Sequence, residues 1–412
     1  MIYFKALLSC ILLLTLSAQS LASNTQENRD NKPEKTQKQQ SLEDQIAAMQ
    51  GDIAALRQQQ SMASNVLFSE DSSLKRLRIN AFATAAISAS DSSNYSYLKF
   101  SNNNISDKAN TTSDSRMGLQ LSFSANEKMD FVTQLLAEAK NRWQLEASWA
   151  YLQYRIDENW SIRAGKMRLP YYLASEYIDI GYAYPWIRPP AELYSVFIEN
   201  YTGIEFSHHI TFANGWVNQS KVFFGNTLDG ERGDVLGDDD FDFSLQKLWG
   251  IEERLSYGAI TFRASYTQGE FELEVPNFVS LNNKDYRYIV VGAAYDNSDV
   301  MLSVEQAYSK IDDYTKNTPF SMTFGYHIGD FLPYLTFSSI DDEDQVFGDS
   351  RQKSWALGGR YYVNEYIALK ASAQHFYDFD GTTGQFSRSN QAVNEPIESR
   401  INIVSFSIES VF

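Results

Sequence analysis

Seven basic residues recur on the polar side of segments in which apolar and polar residues alternate. They are Arg78, Arg155, Arg163, Arg263, Arg287, Arg360 and Lys370. Four carboxylates, those of Glu138, Glu205, Glu252 and Glu305, have the same parity, so bases are in excess on this side. An arginine is always charged and can hold a carboxylate or phosphate in a two-pronged contact. The pattern predicts a wall that either binds anions or is stabilised by its own ion pairs, and the sequence leaves both alternatives open.

A long aromatic segment at about 169–199 carries a second set of charges. Glu176, Asp179 and Arg188 lie there, around the run from Tyr184 to Pro190. The segment is apolar enough to be buried, unlike the acidic loops elsewhere in the chain. Acids on this segment facing bases on a wall would create an electric field across the gap and sort solutes by charge. Alternatively the segment packs on a rim or on a neighbouring subunit, and then no such field arises.

The composition excludes several kinds of site. The 412 residues include 52 acids against 35 bases, a formal charge of −17, which argues against a nucleic-acid-binding protein. A single cysteine, Cys10, rules out a disulfide framework and a Cys-ligated metal centre. The four histidines are scattered and no Gly-x-Ser-x-Gly motif accompanies them. We therefore predict no enzyme, no metal and no cofactor.

The elements that would position these residues begin near Leu74. From there to Phe412 apolar and polar residues alternate with a period of two, as in strands with one apolar face. Tight turns such as Tyr257-Gly258 alternate with long segments such as 227–246 and 272–284. A water-soluble sandwich also alternates, but this asymmetry of turns and loops is typical of an outer-membrane barrel. Counting hairpins predicts an all-β fold, a 16-stranded antiparallel transmembrane β-barrel over residues 74–412.

The chain ahead of the barrel divides into three parts. Residues 1–22 have a basic start, an apolar run and a small-x-small end, which predicts a secretory signal peptide rather than a membrane anchor. Residues 23–40 are predicted to be a polar flexible segment. Residues 41–63 are predicted to form a short periplasmic coiled-coil helix, although an ordinary amphipathic helix packed on a domain would show the same spacing. The predicted seam consists of Leu42, Ile46, Met49, Ile53 and Leu56.

The last segment carries a resemblance to a known family. Phe406, Ile408 and the terminal Phe412 share one face, as in the strand that Gram-negative outer-membrane proteins present to the barrel assembly machinery. Ser410 departs from that pattern, because an apolar or aromatic residue is usual there. Together with the signal peptide and the loop asymmetry, this ending resembles the trimeric outer-membrane porins. The heptad helix ahead of the barrel resembles the DcaP-like subgroup, which has an N-terminal periplasmic coiled coil.

The resemblance implies a location, partners and a function. It implies a homotrimer in the outer membrane of a Gram-negative bacterium, in contact with lipid and lipopolysaccharide and assembled by the barrel assembly machinery. It implies a porin through which small hydrophilic solutes diffuse past an infolded loop, with a lean towards anions such as carboxylates. A structural or adhesive barrel without a transport role is the alternative.

Two long segments collect much of the acidic excess. One carries a run of acids from Asp229 to Asp242, and the other carries four acids from Asp341 to Asp344. Both belong to predicted long loops. They could hold divalent cations that bridge to lipopolysaccharide phosphates, or they could form a solvated acidic rim.

Overall fold

The computed structural model describes residues 76–97, 105–196, 198–227, 242–275, 278–388 and 398–412. The predicted signal peptide, polar segment and coiled-coil helix, with its five seam residues, lie outside the described residues. The same holds for most of the acidic run from Asp229 to Asp242. Over the described residues, no helix is both long enough and apolar enough to span a membrane.

The described chain is built mainly of strands. In chain order they are β1 Leu77–Ser90, β2 Tyr95–Tyr97, β3 Arg116–Asn126, β4 Met129–Glu138, β5 Leu145–Arg155, β6 Trp160–Arg168, β7 Asn200–Thr211, β8 Val217–Asn226, β9 Asp242–Tyr257, β10 Ile260–Val275, β11 Val279–Asp296, β12 Val300–Ile311, β13 Thr315–Asn317, β14 Phe320–Tyr326, β15 Phe331–Asp344, β16 Ser350–Tyr362, β17 Ile367–Tyr377, β18 Phe386–Arg388 and β19 Arg400–Val411. Among the described residues, the helical elements are 3-10 turns at Ala139–Asn141, Ser175–Tyr177 and Gly181–Ala183, and one α-helical turn, α1, at Ala191–Tyr194.

One sheet closes on itself into a barrel. Each barrel strand pairs antiparallel with its neighbours, and β1 pairs with both β3 and the terminal β19. β13 and β14 both pair with β12 and β15, so they form one strand interrupted at Thr318-Pro319, where proline has no N–H for the ladder. Strands β2 and β18 pair with each other in a separate two-stranded sheet, which packs on inward residues of β17 and β19 such as Phe376 and Ile401. In the part of the chain that the structure describes, the wall thus has sixteen strands, which confirms the predicted fold class.

The period-two pattern separates the two faces of the wall. On β19, Phe406 and Ile408 point outwards with more than half of their surface exposed, whereas Ser405, Ser407 and Glu409 point inwards and are buried. Phe412 is also exposed on the outer face, and its backbone closes the barrel through hydrogen bonds of 2.8 and 3.0 Å with Ala81. A closed barrel leaves no unpaired edge, which is what a lipid environment requires of strands.

The segment 272–284 differs from the expectation. It was expected to be a long loop, but β10 continues to Val275 and β11 begins at Val279. Phe271, Leu273 and Val275 are buried while the glutamates between them are more exposed, so the alternation continues through this region. Strands β10 and β11 therefore stay paired as far as Val275 and Val279, where a long loop was expected.

Candidate functional site

The chain between β6 and β7 lies inside the barrel. Pro170 follows β6, and the segment then forms two 3-10 turns before Pro189-Pro190 leads into α1. Its aromatic and aliphatic side chains are almost fully buried, including those of Tyr171, Leu173 and Leu193. We call residues 169–199 the inner segment. Its apolar composition is explained by this position, because its side chains pack against the wall rather than facing water.

Both ends of the inner segment, at Tyr171–Leu173 and at Tyr194, are fastened to strands β10, β11 and β12. The hydroxyls of Tyr171 and Tyr286 are 2.7 Å apart, and Tyr172 is hydrogen-bonded in the same way to Tyr288. The carboxylate of Glu305 accepts the backbone N–H of Leu173 at 2.8 Å and the hydroxyl of Tyr194. Ser265 donates to the carbonyl of Tyr171 at 3.0 Å. This predicted inward carboxylate, Glu305, therefore holds the inner segment rather than facing an open channel.

A second set of contacts is made by the acidic side chains of the inner segment, those of Asp179 and Glu176. Asp179 accepts hydrogen bonds from Gln134 Nε2 at 2.8 Å and from Arg168 at 3.0 Å. Glu176 pairs with Lys221 of β8, and this ammonium group lowers the pKa of the Glu176 carboxyl. These contacts reach strands β4, β6 and β8, on a different part of the wall from the tyrosine contacts.

Arg188, the third predicted charge of the inner segment, forms a two-pronged ion pair with Asp114, which we call the forked pair. Arg188 Nε donates to Asp114 Oδ1 at 2.8 Å while Nη2 donates to the other oxygen, and both side chains are largely buried. Burial raises the pKa of Asp114, but the Arg188 guanidinium outweighs it, so the net pKa lies below the usual range. Because the folded-state pKa is lowered, the contribution of this pair is present above the ordinary carboxyl pKa and is lost as pH falls through the lowered value.

A buried lysine fastens the middle of the inner segment. Lys370 Nζ donates to the carbonyls of Gly181 and Trp186 at 2.7 Å each, and it pairs with Glu409 at 2.7 Å. Neither the Lys370 nor the Glu409 side chain has any exposed surface. Trp186 Nε1 in turn donates to the hydroxyls of Thr323 at 3.1 Å and Thr336 at 3.0 Å. The inner segment is therefore fixed to the wall in several sectors and crosses the lumen as a constriction.

Most of the predicted bases form ion pairs with carboxylates on the same wall. Arg263 lies 2.7 Å from Glu252, whose carboxylate is also 2.9 Å from Lys221 and 3.9 Å from Arg254. Three further pairs are Arg163 with Glu205 at 3.4 Å, Arg155 with Asp130, and Lys370 with Glu409. The sequence left open whether the bases bind anions or pair with acids of the wall. At these four predicted bases the structure shows ion pairs within the wall.

Two further predicted bases also lie on the inner side. Arg360 is buried, and its guanidinium lies 4.5 Å from the ring centroid of Tyr362 and 3.4 Å from the carbonyl of Tyr182. Arg78 lies opposite the inward Ser122 in the register of β1 and β3. Glu138, the remaining predicted carboxylate, is 3.1 Å from Lys140 at the end of β4.

Arg287 is placed differently from the prediction. It lies on the outer face of β11, where it is about half exposed and 3.5 Å from Asp285. Its neighbours Tyr286 and Tyr288 occupy the inward positions. The prediction assumed that apolar side chains of a strand face lipid. Here the inner segment is itself apolar, so the wall facing it carries aromatic residues and the polar Arg287 lies on the outer face. The prediction that Arg287 lines the lumen is therefore wrong.

Several residues of the constriction were not predicted. These residues contact the inner segment or the carboxylate of Glu252. They are Lys221, Arg168, Arg254 and Asp114. Lys221 shares the inward parity of the buried Phe223 on β8 and alternates with Val222, so period two alone could have identified it. Asp114 lies in a connection between strands, where no periodicity applies, and the sequence offers no comparable signal for it.

We expect Glu252→Gln to increase the anion preference of any current through the barrel. The substitution leaves Lys221, Arg254 and Arg263 around a neutral amide and so adds one positive charge to the cluster. A unit charge about 8 Å from a passing ion contributes about 2 kcal/mol at an effective dielectric constant of about 20. About 2 kcal/mol is a factor of about 30 for one ion, and the effect has the opposite sign for the counter-ion, so the anion-to-cation permeability ratio should rise at least about 30-fold. The reversal potential under a potassium chloride gradient measures this ratio.

The matched control for this substitution is Glu343→Gln. Glu343 is half exposed and pairs with Lys316 at 3.0 Å, far along β15 from the constriction. Its loss should leave the permeability ratio unchanged. Equal ratios in the Glu252→Gln protein, the control and the unchanged protein would show that the cluster does not act on permeating ions.

The structure offers little for other site chemistry. Within the described ranges, no group of three or more His, Cys, Asp or Glu residues is arranged to hold a metal ion. In the second acidic segment, Asp341 pairs with Arg351 at 2.8 Å and Glu343 with Lys316. His327 lies 3.3 Å from Asp296. The prediction that the chain is not an enzyme stays a prediction.

Comparison with known proteins gives structural likeness only. No protein-family model matches the sequence, and no curated protein matches it. The outer-membrane channel DcaP of Acinetobacter baumannii has a TM-score of 0.54 at 12% identity, covering 84% of this chain and 100% of that one. The anion-selective porin from Comamonas acidovorans has a TM-score of 0.51 at 14% identity, covering 82% and 100%. OmpT of Vibrio cholerae in its trimer form has a TM-score of 0.50 at 10% identity, covering 82% and 99%.

These identities are low, so the likeness shows the fold and not the function. The likeness extends over nearly the whole of each related chain. It includes DcaP, whose subgroup the predicted N-terminal helix resembles. This chain has the sixteen-stranded β-barrel fold of the Gram-negative outer-membrane porins.

Proposed function

We propose that this protein is a porin of the outer membrane of a Gram-negative bacterium, through which small hydrophilic solutes diffuse. The observation that carries the proposal is a closed barrel with an apolar outer face, a polar inner wall and an inner segment fixed across the lumen by ion pairs. Such a constriction excludes large solutes, while the charged groups around it act on the small ones that pass.

The proposed assembly is a homotrimer surrounded by lipid and lipopolysaccharide. A trimer form is known for the structurally similar OmpT, and the family resemblance of the sequence supports the same state here. The outward Phe406, Ile408 and Phe412 are proposed to be the signal that the barrel assembly machinery reads. Their exposed position on the terminal strand is compatible with that role.

The preference for anions such as carboxylates stays a prediction. It rested on an excess of bases along the inner wall. Arg155, Arg163, Arg263 and Lys370 each contact an inward carboxylate, which cancels much of their charge at a distance. A similar fold in an anion-selective porin supports the preference only by analogy.

A structural or adhesive barrel is the second candidate, and one observation favours it. Many inward side chains that would line a wide channel are fully or nearly fully buried, among them those of Gln134, Thr267 and Thr323. The inner segment therefore leaves only a narrow passage in this conformation. A barrel without a transport role would tolerate complete closure, whereas a porin needs a path for water and solutes.

We expect the purified protein to conduct ions in a planar lipid bilayer. Insertion of a trimer of channels should give current steps that close in threes, because each subunit has its own lumen. Single-channel recording under a salt gradient measures the step size and the reversal potential together. Folded protein, identified by heat-modifiable migration on a gel, that gives no steps would favour the structural barrel.

A further inference from the structure

A group of polar side chains interrupts the apolar outer face of the barrel at β8 and β9. Glu253 of β9 points outwards, because its neighbour Glu252 is buried on the inner side. Along β9 it lies four residues from Tyr257 and four from Trp249, two rings that are exposed on the outer face. Four residues span about 13 Å of strand, and such rings mark the two edges of the apolar band of a membrane barrel. The carboxylate therefore lies near the middle of this band.

Two uncharged side chains of β8 hold this carboxylate. Glu253 Oε2 accepts hydrogen bonds from Asn218 Nδ2 at 3.0 Å and from Ser220 Oγ at 2.8 Å. Neither donor carries a charge, so the carboxylate keeps its negative charge, and its side chain remains partly exposed. A charged group that faces lipid at this depth is costly, and such groups are usually directed towards protein. The position indicates that protein rather than lipid covers this part of the wall.

A histidine extends the polar row on the other side of β8. In the register of the sheet, Ser220 lies opposite Glu253 of β9 on one side and opposite His208 of β7 on the other. The His208 ring lies against the exposed Trp160, with ring centroids 4.3 Å apart. A histidine N–H can donate a hydrogen bond to a carboxylate. The outer face of β7, β8 and β9 therefore has a donor on one flank and an acid on the other.

These two flanks complement each other across a rotation axis. In a closed ring of identical copies, one flank of each copy contacts the opposite flank of the next. With the axis along the membrane normal beside β8, the β9 flank of one copy meets the β7 flank of the next, and Glu253 approaches the neighbouring copy's His208. On the opposite side of the wall, β17 presents the exposed Leu369 and Ala371, which offer no such complement.

We propose that copies of this chain contact each other through the outer face of β7, β8 and β9, around an axis beside Ser220. The proposal rests on the proposed outer-membrane porin and its homotrimer, and it deepens them by naming the surface of contact. In this contact the neighbouring copy's His208 supplies Glu253 with a donor that lipid hydrocarbon lacks. The competing surface is the stretch of small outward residues that includes Ala85 of β1 and Ala371 of β17.

The first test is disulfide cross-linking of a Ser220→Cys protein in the membrane. The single cysteine of the sequence, Cys10, lies in the predicted signal peptide, so the mature variant would carry one thiol. Oxidation with copper phenanthroline should give covalent dimers on a denaturing gel without reductant, and a reductant should return them to single chains. Ala371→Cys places a thiol on the outer face of the opposite strand and serves as the matched control, which should give no covalent dimer.

A second variant tests the carboxylate itself. Glu253→Leu should weaken the association of copies about tenfold, or about 1.4 kcal/mol, because the neighbouring copy's His208 loses its acceptor. Ala371→Leu introduces the same side chain on the opposite face and should leave the association unchanged. Sedimentation of the folded proteins in detergent, over a range of concentrations, measures the association. If lipid covers Glu253, the leucine would leave the oligomer intact and make the barrel more resistant to denaturant.

Three results would overturn the proposal: no cross-linking of Ser220→Cys in protein shown to be folded, cross-linking of Ala371→Cys in its place, or equal association of the Glu253→Leu and unchanged proteins. Neither measurement depends on conduction, so both are separate from the bilayer recording. Cross-linking through Ser220→Cys without current would support the surface while rejecting the porin. Current carried by protein that does not associate through this face would do the reverse.

Discussion

A Lys370→Met protein is expected to lose about 3–5 kcal/mol of its free energy of unfolding, because the substitution strands a buried carboxylate. Glu409 has no exposed surface, and Lys370 is 2.7 Å from it. The same ammonium group also satisfies the carbonyls of Gly181 and Trp186, so the middle of the inner segment loses its attachment. Denaturant titration of the protein refolded into lipid vesicles, followed by tryptophan fluorescence, measures the loss.

Two control proteins separate the buried charge from the lost methylene packing. Lys370→Met combined with Glu409→Gln removes both charges and should recover more than half of the loss, because a neutral pair needs no counter-charge. Lys353→Met breaks a half-exposed pair with Asp378, which solvent screens, and should leave stability nearly unchanged. A double variant as unstable as Lys370→Met alone would show that side-chain shape, not charge, stabilises this position.

The inward position of Lys370 follows from period two alone, and so does that of Glu409 on β19, the neighbouring strand of the wall. Their contact does not follow, because it depends on the register of β17 against β19. In that register Lys370 lies opposite Ser407 and Ala368 opposite Glu409, so the pair is diagonal. Periodicity therefore predicts the face on which a side chain lies, while the partner is fixed by strand pairing that one sequence does not reveal.

The inner segment marks the other limit of sequence reasoning. Its aromatic composition predicts burial, but not the sectors of wall that it contacts. Arg287 shows the consequence, since the tyrosines on either side of it face inwards to meet that segment. Where a barrel encloses an apolar segment, both faces of the neighbouring strands are apolar, and the rule that apolar residues face lipid no longer determines parity. The predicted parity fails at the place where the lumen is filled.

Reversing one charge of the forked pair, Arg188→Asp, is expected to release the second half of the inner segment and increase the conductance. The new carboxylate would face Asp114, whose side chain is 6% exposed and loses its forked guanidinium partner. Breaking a largely buried pair in this way costs about 3–5 kcal/mol. A shift of about 5.5 kcal/mol takes a two-state equilibrium from 1:99 to 99:1, so the released state should become a substantial part of the population. Single-channel conductance, with the frequency of transitions between levels, measures the change.

Exchanging the two charges, as Arg188→Asp with Asp114→Arg, is the decisive comparison. An attractive pair is restored between the same two backbone positions, so the conductance should return towards that of the unchanged protein. Recovery would assign the effect to the attraction between these side chains and would show that the inner segment is held by charge. If the exchanged protein stayed as conductive as Arg188→Asp alone, the attachment would depend on the specific fork that Arg188 forms. If Arg188→Asp left the conductance unchanged in folded protein, the tyrosine, Lys370 and Asp179 contacts would suffice to hold the segment, and the forked pair would have no part in restricting the pore.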